Sequence, residues 1–248
     1  DVRTETRIDA ARTLVILDAR TAAPDLMNQS GNAPELRQIA ERAFADWNDM
    51  PARDMWMSRL AEPAGVPHSH LALAIRGLAT VGHKAAADPV RKIVLSPGFG
   101  SGLRLTAARG LAELQTSGLE ETAKQLLSEK PGSLVPALLA ATLLQRHSGG
   151  AAEELLLQLI THSSSAVVST AWGRLDALNP DRIPDAVLAG ALGSRDARVR
   201  LLAVQSCGHR TNPHVEQLAA ALDDTHPDVR CLARHALRDQ ASRSTKQD

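Results

Sequence analysis

Aromatic residues are scarce: the 248 residues hold no Tyr, two Phe and three Trp. That rules out a core built on aromatic stacking. It also weighs against the aromatic platforms on which single-stranded nucleic acids stack. Cysteine occurs only as Cys207 and Cys231, too few for a disulfide framework. No run approaches the ~20 apolar residues that a membrane-crossing helix needs, and no signal peptide is visible. Charge of one sign is not in excess either. Lys plus Arg and Asp plus Glu both number 28. The balance weighs against a generic binder of nucleic acid or anionic membrane, whose affinity rests on cationic excess. The chain starts at Asp1 without Met, which leads us to expect a processed protein or an excised domain.

What is present is a repeat. An apolar or small residue is followed by a small residue four positions on and a bulky apolar one eight positions on, and the pattern recurs eight times. The small residue is Ala10, Ala40, Ala74, Ala107, Ala171, Ala203 or Ala233, with Leu139 the exception. The third position reads Leu14, Phe44, Leu78, Leu111, Leu143, Leu175, Cys207 and Leu237, at spacings of 30, 34, 33, 32, 32, 32 and 30 residues. Steps of four keep side chains on one helix face, so each copy predicts an amphipathic helix presenting one seam. Cys207 stands where leucine is usual and reads as a small buried hydrophobe.

The seam helices are expected near 3–17, 33–47, 68–80, 101–114, 133–146, 165–177, 197–208 and 227–240. Partner helices are expected between them, near 19–28, 52–62, 86–95, 119–129, 151–162, 184–192 and 213–222. Breakers such as Pro63-Ala64-Gly65, Pro131-Gly132 and Gly149-Gly150 fall where each pair must turn. A period of ~30–35 residues sustained along a chain predicts an all-α, right-handed α-solenoid of about eight helix pairs. Residues 1–240 would form a single array, and 241–248 a polar C-terminal tail. The first copy lacks a preceding partner helix, and its end, Leu14-Val15-Ile16-Leu17, is apolar all round. Residues 1–17 are therefore expected to pack on an upstream repeat or domain.

Arg follows the seam start in five copies, as Arg7, Arg37, Arg104, Arg200 and Arg230. The clearest copies read Asp196-Ala197-Arg198-Val199-Arg200-Leu201-Leu202-Ala203 and Pro227-Asp228-Val229-Arg230-Cys231-Leu232-Ala233. At these residues the chain resembles a HEAT-repeat protein of the short bacterial kind related to the repeats of phycobilisome lyases. The tight match is confined to residues 194–240, and Pro136 and Val168 break the Arg slot in the fifth and sixth copies. The resemblance implies that Asp196, Arg200, Asp228 and Arg230 are structural, the turn Asp and helix-start Arg forming a ladder between neighbouring repeats. It also implies that the second helix of each pair lines a concave face.

Six positions after the seam start stand Arg12, Arg42, Arg76 and Arg109, with Ala141, Gly173, Gln205 and His235 in the last four copies. Stacked repeats would set the four arginines in a row, a stripe suited to carboxylates or phosphates. The other reading is an ordinary solvated face, with Asp46 and Glu113 four residues after Arg42 and Arg109 forming local ion pairs. Trp172 lies one step from this row and is a partner-anchor candidate if exposed, or a packing residue if not. Trp47 and Trp56 bracket the turn at 48–51 and should staple it. Phe99 sits in the glycine-rich segment 96–102, which lacks a phosphate-loop ending. The nine His show no metal-ligand spacing, and none is followed by the Glu that HEAT-like di-iron enzymes carry.

The reading is a non-catalytic protein-interaction scaffold without cofactor, its partner a protein, acidic if the Arg stripe is used. The resemblance also admits a tetrapyrrole-handling lyase or chaperone, and more remotely a nucleic-acid binder.

Overall fold

A computed structural model describes residues 2–31, 33–211 and 214–244. Their regular structure is helical, α-helices with short 3-10 turns, and there is no strand among them. None of their helices is long and apolar enough to cross a membrane. The chain divides into two compact units, Asp1–Gln115 and Thr116–Asp248.

Unit 1 contains α1 (Val2–Ile16), α2 (Ala23–Ser30), α3 (Pro34–Trp47), α4 (Met50–Ala61), α5 (His68–Thr80), α6 (Ala87–Leu95) and α7 (Ser101–Leu114). The seam helices α1, α3, α5 and α7 pack in succession, and α2, α4 and α6 pair with the seam helix that follows each. Local chemistry fixes the ends. Asn48 ends α3 in the left-handed region, at φ 57°. The N–H of Asp49 then reaches back to the Phe44 carbonyl at 2.9 Å, satisfying a carbonyl the helix end leaves open. The Asp49 carboxylate caps α4 by accepting from the Ala52 N–H at 2.9 Å, with Pro51 in the first turn.

Two glycines let the layers of unit 1 close. A Cβ at Gly77 would lie 2.7 Å from the Trp56 ring, and one at Gly110 would lie 2.6 Å from Ile75 Cγ2. They occupy the same repeat position, one step past Arg76 and Arg109, and Ala43 fills it in α3. The second small column brings the helices together beside the arginines.

The seam is buried at Leu36, Ala40, Phe44, Ala74, Leu78, Leu103, Ala107 and Leu111, and in the third copy, which starts at a half-buried His70, the adjacent Leu71 is buried. Ala10 departs from the expected register. It is exposed, while Ile8 and Ala11 are buried. The reason is that Ile8, Ala11 and Val15 form a more apolar face than Thr6, Ala10 and Leu14, and the helix rotates to bury it. Ile16 and Leu17 remain 82% and 69% exposed.

Unit 2 contains α8 (Glu120–Glu129), α9 (Leu134–Leu144), α10 (Gly150–Leu159), α11 (Ser165–Leu178), α12 (Asp185–Leu192), α13 (Ala197–His209), α14 (Val215–Ala220) and α15 (Pro227–Ser244). Seam helices again pack in succession, α9 on α11, α11 on α13 and α13 on α15. Their core joins Ala140, Leu144, Leu156, Ala171, Trp172, Leu175, Val204, Cys207 and Ala233. Burial pushes the Cys207 thiol up to about 11, leaving it an inert core hydrophobe. α15 continues to Ser244, into the segment expected as a tail at 241–248. Residues 245–248 lie outside the described residues.

Candidate functional site

All four arginines of the predicted row, Arg12 on α1, Arg42 on α3, Arg76 on α5 and Arg109 on α7, line one groove of unit 1. Its volume is about 1050 Å³. All four are exposed. Ala72, Leu73, Gly77, Ala79 and Gly110 also line it, with the larger Gln38 and Ile39.

Arg12 bonds Asp9 on its own helix at 3.3 Å, an exposed pair of small energetic weight. Arg42, Arg76 and Arg109 make no hydrogen bond or ion pair among the described residues. The direct pairs expected from Arg42 to Asp46 and from Arg109 to Glu113 are therefore not formed, although both acids line the same groove. Two further acids line the groove, Glu35 and Glu41, and Glu41 is buried. It accepts from Trp56 Nε1 at 2.8 Å and from Arg59 Nη1 at 2.9 Å on both oxygens. Its charge is thus matched from below. Trp56 is itself fully buried, so it ties α4 to α3 where a staple across the turn was expected. Trp47 instead tilts against Phe44, ring centroids 6.4 Å apart.

Trp172 is not a surface anchor. It is fully buried in unit 2, and Nε1 donates to Ser206 Oγ at 2.9 Å. The cause is its place between α11 and α13, where the large ring fills the layer and the small Ser206 supplies the partner its N–H needs. Ser206 Oγ donates in turn to Asp176 Oδ1 at 2.5 Å, and Gln205 Nε2 donates to Oδ2 at 3.0 Å. His209 Nδ1 lies 2.9 Å from the same Oδ2. Ser, His and Asp meet here without forming a nucleophile relay. The serine proton goes to the carboxylate and the hydroxyl is fully buried.

Of the residues expected to form a ladder, Arg200 bonds an acid that the sequence did not single out. Arg200 grips Asp224 through two bonds of 2.8 and 2.9 Å and donates to the Ser194 carbonyl at 2.8 Å. Arg200 holds the Asp224 carboxyl below the usual carboxylate range. Asp196 caps α13 by accepting from the Arg198 N–H at 2.9 Å. The Ser165 hydroxyl of the preceding repeat is the main group holding the Asp196 pKa down. Arg230 donates to the Asp224 carbonyl at 2.7 Å. Asp228 takes no part in the ladder. It lies within the first turn of α15 and faces solvent, with His226 Nδ1 3.9 Å from its carboxylate. Arg37, Arg200 and Arg230 each bond the carbonyl six residues earlier, at Gly31, Ser194 and Asp224. That shared reach closes the turn before each seam helix and puts residue 224, not 228, beside Arg200.

Other singled-out residues are quiet. Phe99 packs edge-on against His68, centroids 5.8 Å apart. No group of three His, Cys, Asp or Glu among the described residues is placed to hold a metal ion. His147 is fully buried, with Nε2 accepting the Leu119 N–H at 3.2 Å, and burial lowers its pKa. Sequence reasoning missed the two buried carboxylates. Both directly follow a seam residue, Ala40-Glu41 and Leu175-Asp176, and an acid so close to a seam was the available signal. Comparison with family models and with curated proteins finds no match.

Proposed function

We propose that this chain is a right-handed α-solenoid of HEAT-like helix pairs, acting as a non-catalytic protein-binding scaffold. The groove lined by α1, α3, α5 and α7 is its working surface and an acidic protein segment its ligand. The observation that carries this is the convergence of Arg12, Arg42, Arg76 and Arg109 on one groove, three of them without a partner among the described residues. A guanidinium left unpaired at the surface keeps its full bonding fork for a bidentate carboxylate. The solenoid reading is supported by the repeat period and by seam helices that pack in order within each unit. The ladder bonds of Arg200, Asp196 and Arg230 support the HEAT-like assignment.

The test is retention of binding partners by the wild type and by a variant with all four arginines changed to Glu, with an Arg→Gln variant as a milder companion. Circular dichroism checks that all are equally helical. The proposal expects a partner whose contact segment is acidic, retained by the wild type and lost by both variants. Equal retention by all three proteins would remove the groove from the account.

A further inference from the structure

Three helices of unit 2 meet at a histidine that has no place for a second proton. His147 lies just past the end of α9 and is fully buried. Its N–H donates to the Leu144 carbonyl at 3.0 Å, and its carbonyl accepts from Arg174 Nε of α11 at 2.7 Å. From that held backbone the ring reaches the residue that opens α8. Nε2 accepts the Leu119 N–H at 3.2 Å, across 28 residues of sequence. Leu119 is fully buried as well, and its carbonyl accepts the Ala123 N–H of α8 at 2.9 Å. One imidazole nitrogen thus ties the start of α8 to the end of α9. Upstream, Thr116, Ser117 and Gly118 are exposed, and Gly118 turns through the left-handed region at φ 77°. The chain entering α8 is therefore held at Leu119, by its buried side chain and by this bond.

A backbone N–H can only donate, so the ring nitrogen that meets it must offer a lone pair. That sets the tautomer, with Nε2 bare and the proton on Nδ1. Nδ1 is buried and meets no partner in bonding geometry. A second proton would set two donors face to face and place a charge where water does not reach. Burial is the largest influence on the ring and disfavours the charged form. Glu120 of α8 and the Ser117 carbonyl favour the charge, and Arg174 of α11 opposes it. Together they hold the pKa below the ordinary histidine value of 6.5.

We propose that His147 is a proton-operated latch. The neutral ring fastens the start of α8 to the end of α9, and a proton on Nε2 releases residues 116–123 while the rest of unit 2 stays folded. The sign follows from the tautomer. The bond is present above the folded pKa and is lost below it. The released ring titrates near the ordinary value, so release grows by up to about tenfold per pH unit below about pH 6.5, until the folded pKa is passed.

The test is amide hydrogen exchange of the whole chain by NMR, from about pH 7.5 to about pH 5, read as protection factors. Leu119 and Ala123 report on the latch, and the buried Val204 and Ala233 serve as references. Both reporters are expected to lose up to about tenfold protection per pH unit below about pH 6.5, while the references keep theirs. His147→Gln offers an amide oxygen, an acceptor that does not titrate, and should hold both reporters protected across the range. His147→Phe removes the acceptor and should leave both reporters exchanging at the released rate at every pH. Wild-type reporters that keep their protection in acid, or that lose it equally in His147→Gln, would overturn the latch. Loss that reaches Val204 and Ala233 in step would mean general acid unfolding and would overturn it as well.

Discussion

The two units use one repeat for opposite ends. In unit 1 the column six residues past the seam start is Arg12, Arg42, Arg76 and Arg109, exposed along a groove and, in the last three, unpaired among the described residues. In unit 2 the same column is Ala141, Gly173, Gln205 and His235. There Ala141 is buried in the core and Gln205 is spent on the buried Asp176. Each unit also keeps one buried carboxylate tied to a buried indole. Glu41 takes the Trp56 N–H directly and is balanced by Arg59, whereas Asp176 reaches Trp172 through Ser206. The lesson is that the seam specifies packing in both units, while the column beside it is a cationic row in unit 1 and mixed in unit 2, where Ala141 is buried, Gln205 braces Asp176 and Gly173 and His235 are exposed.

The comparison breaks most visibly if the indoles and the groove arginines are exchanged as targets. Trp56→Ala and Trp172→Ala should each cost about 3–5 kcal/mol in urea denaturation followed by circular dichroism. Changing all four groove arginines to Gln should shift the same midpoint by no more than surface substitutions do, about 0.5 kcal/mol. A large loss of stability from the arginine variant would mean that the column braces unit 1 too.

The next effect separates the two carboxylates. Glu41→Gln removes the counter-charge of Arg59, whose side chain is only 15% exposed, and should cost about 3 kcal/mol. Asp176→Asn leaves neutral donors that can re-pair, and should cost about 1–2 kcal/mol. The reverse order in equilibrium unfolding would show that Arg59 is solvated when Glu41 is lost.

Acid sharpens the contrast through pH. Burial lowers the pKa of His147 in unit 2. In unit 1 burial, then Arg37 and Arg59, lowers that of His70. The folded state therefore favours the neutral imidazole. The stability this gives is full above the unfolded value of about 6.5 and falls as pH drops from there towards the lower folded value. Unfolding midpoints should decline from about pH 7 to pH 5, and His147→Phe and His70→Phe should each flatten part of that slope. Asp224 behaves oppositely in origin. Its carboxyl is held down by Arg200, so its contribution is full above about pH 4 and is lost as pH falls through the folded value. Asp224→Asn should remove that acid-side loss.

The smallest effect, at Asp228, comes from comparing the two acids near Arg200 and Arg230. Asp224→Ala, which strips both bonds from Arg200, should cost about 1–3 kcal/mol. Asp228→Ala should cost only the few tenths that a charge at a helix N-terminus contributes. Equal losses would restore the ladder role expected for Asp228.

Period and burial made most of the architecture legible in advance, since a seam that repeats every 30–34 residues leaves little freedom for its helices. The first copy slipped because Thr6 and Ala10 satisfy the pattern while Ile8 and Ala11 offer more apolar area. The arginine row was readable because one column of a repeat stays one column in space. Trp172 could not be placed from spacing alone. Its column borders both the groove row and the core, and only the small Ser206 opposite decides that it turns inward. Asp224 was hidden for a related reason: the acid that matters lies in the turn, at a distance set by how Arg230 folds back on its own backbone. The division at residues 115 and 116 left no trace, as the 32-residue step from Leu111 to Leu143 crosses it unchanged.

The most direct test of the account is amide hydrogen exchange on the whole chain, with and without a saturating oligoglutamate peptide. The account predicts added protection in α1, α3, α5 and α7, abolished when the four arginines are Gln, with α9, α11, α13 and α15 unchanged. Protection confined to the helices of unit 2, or protection that survives in the arginine variant, would contradict it.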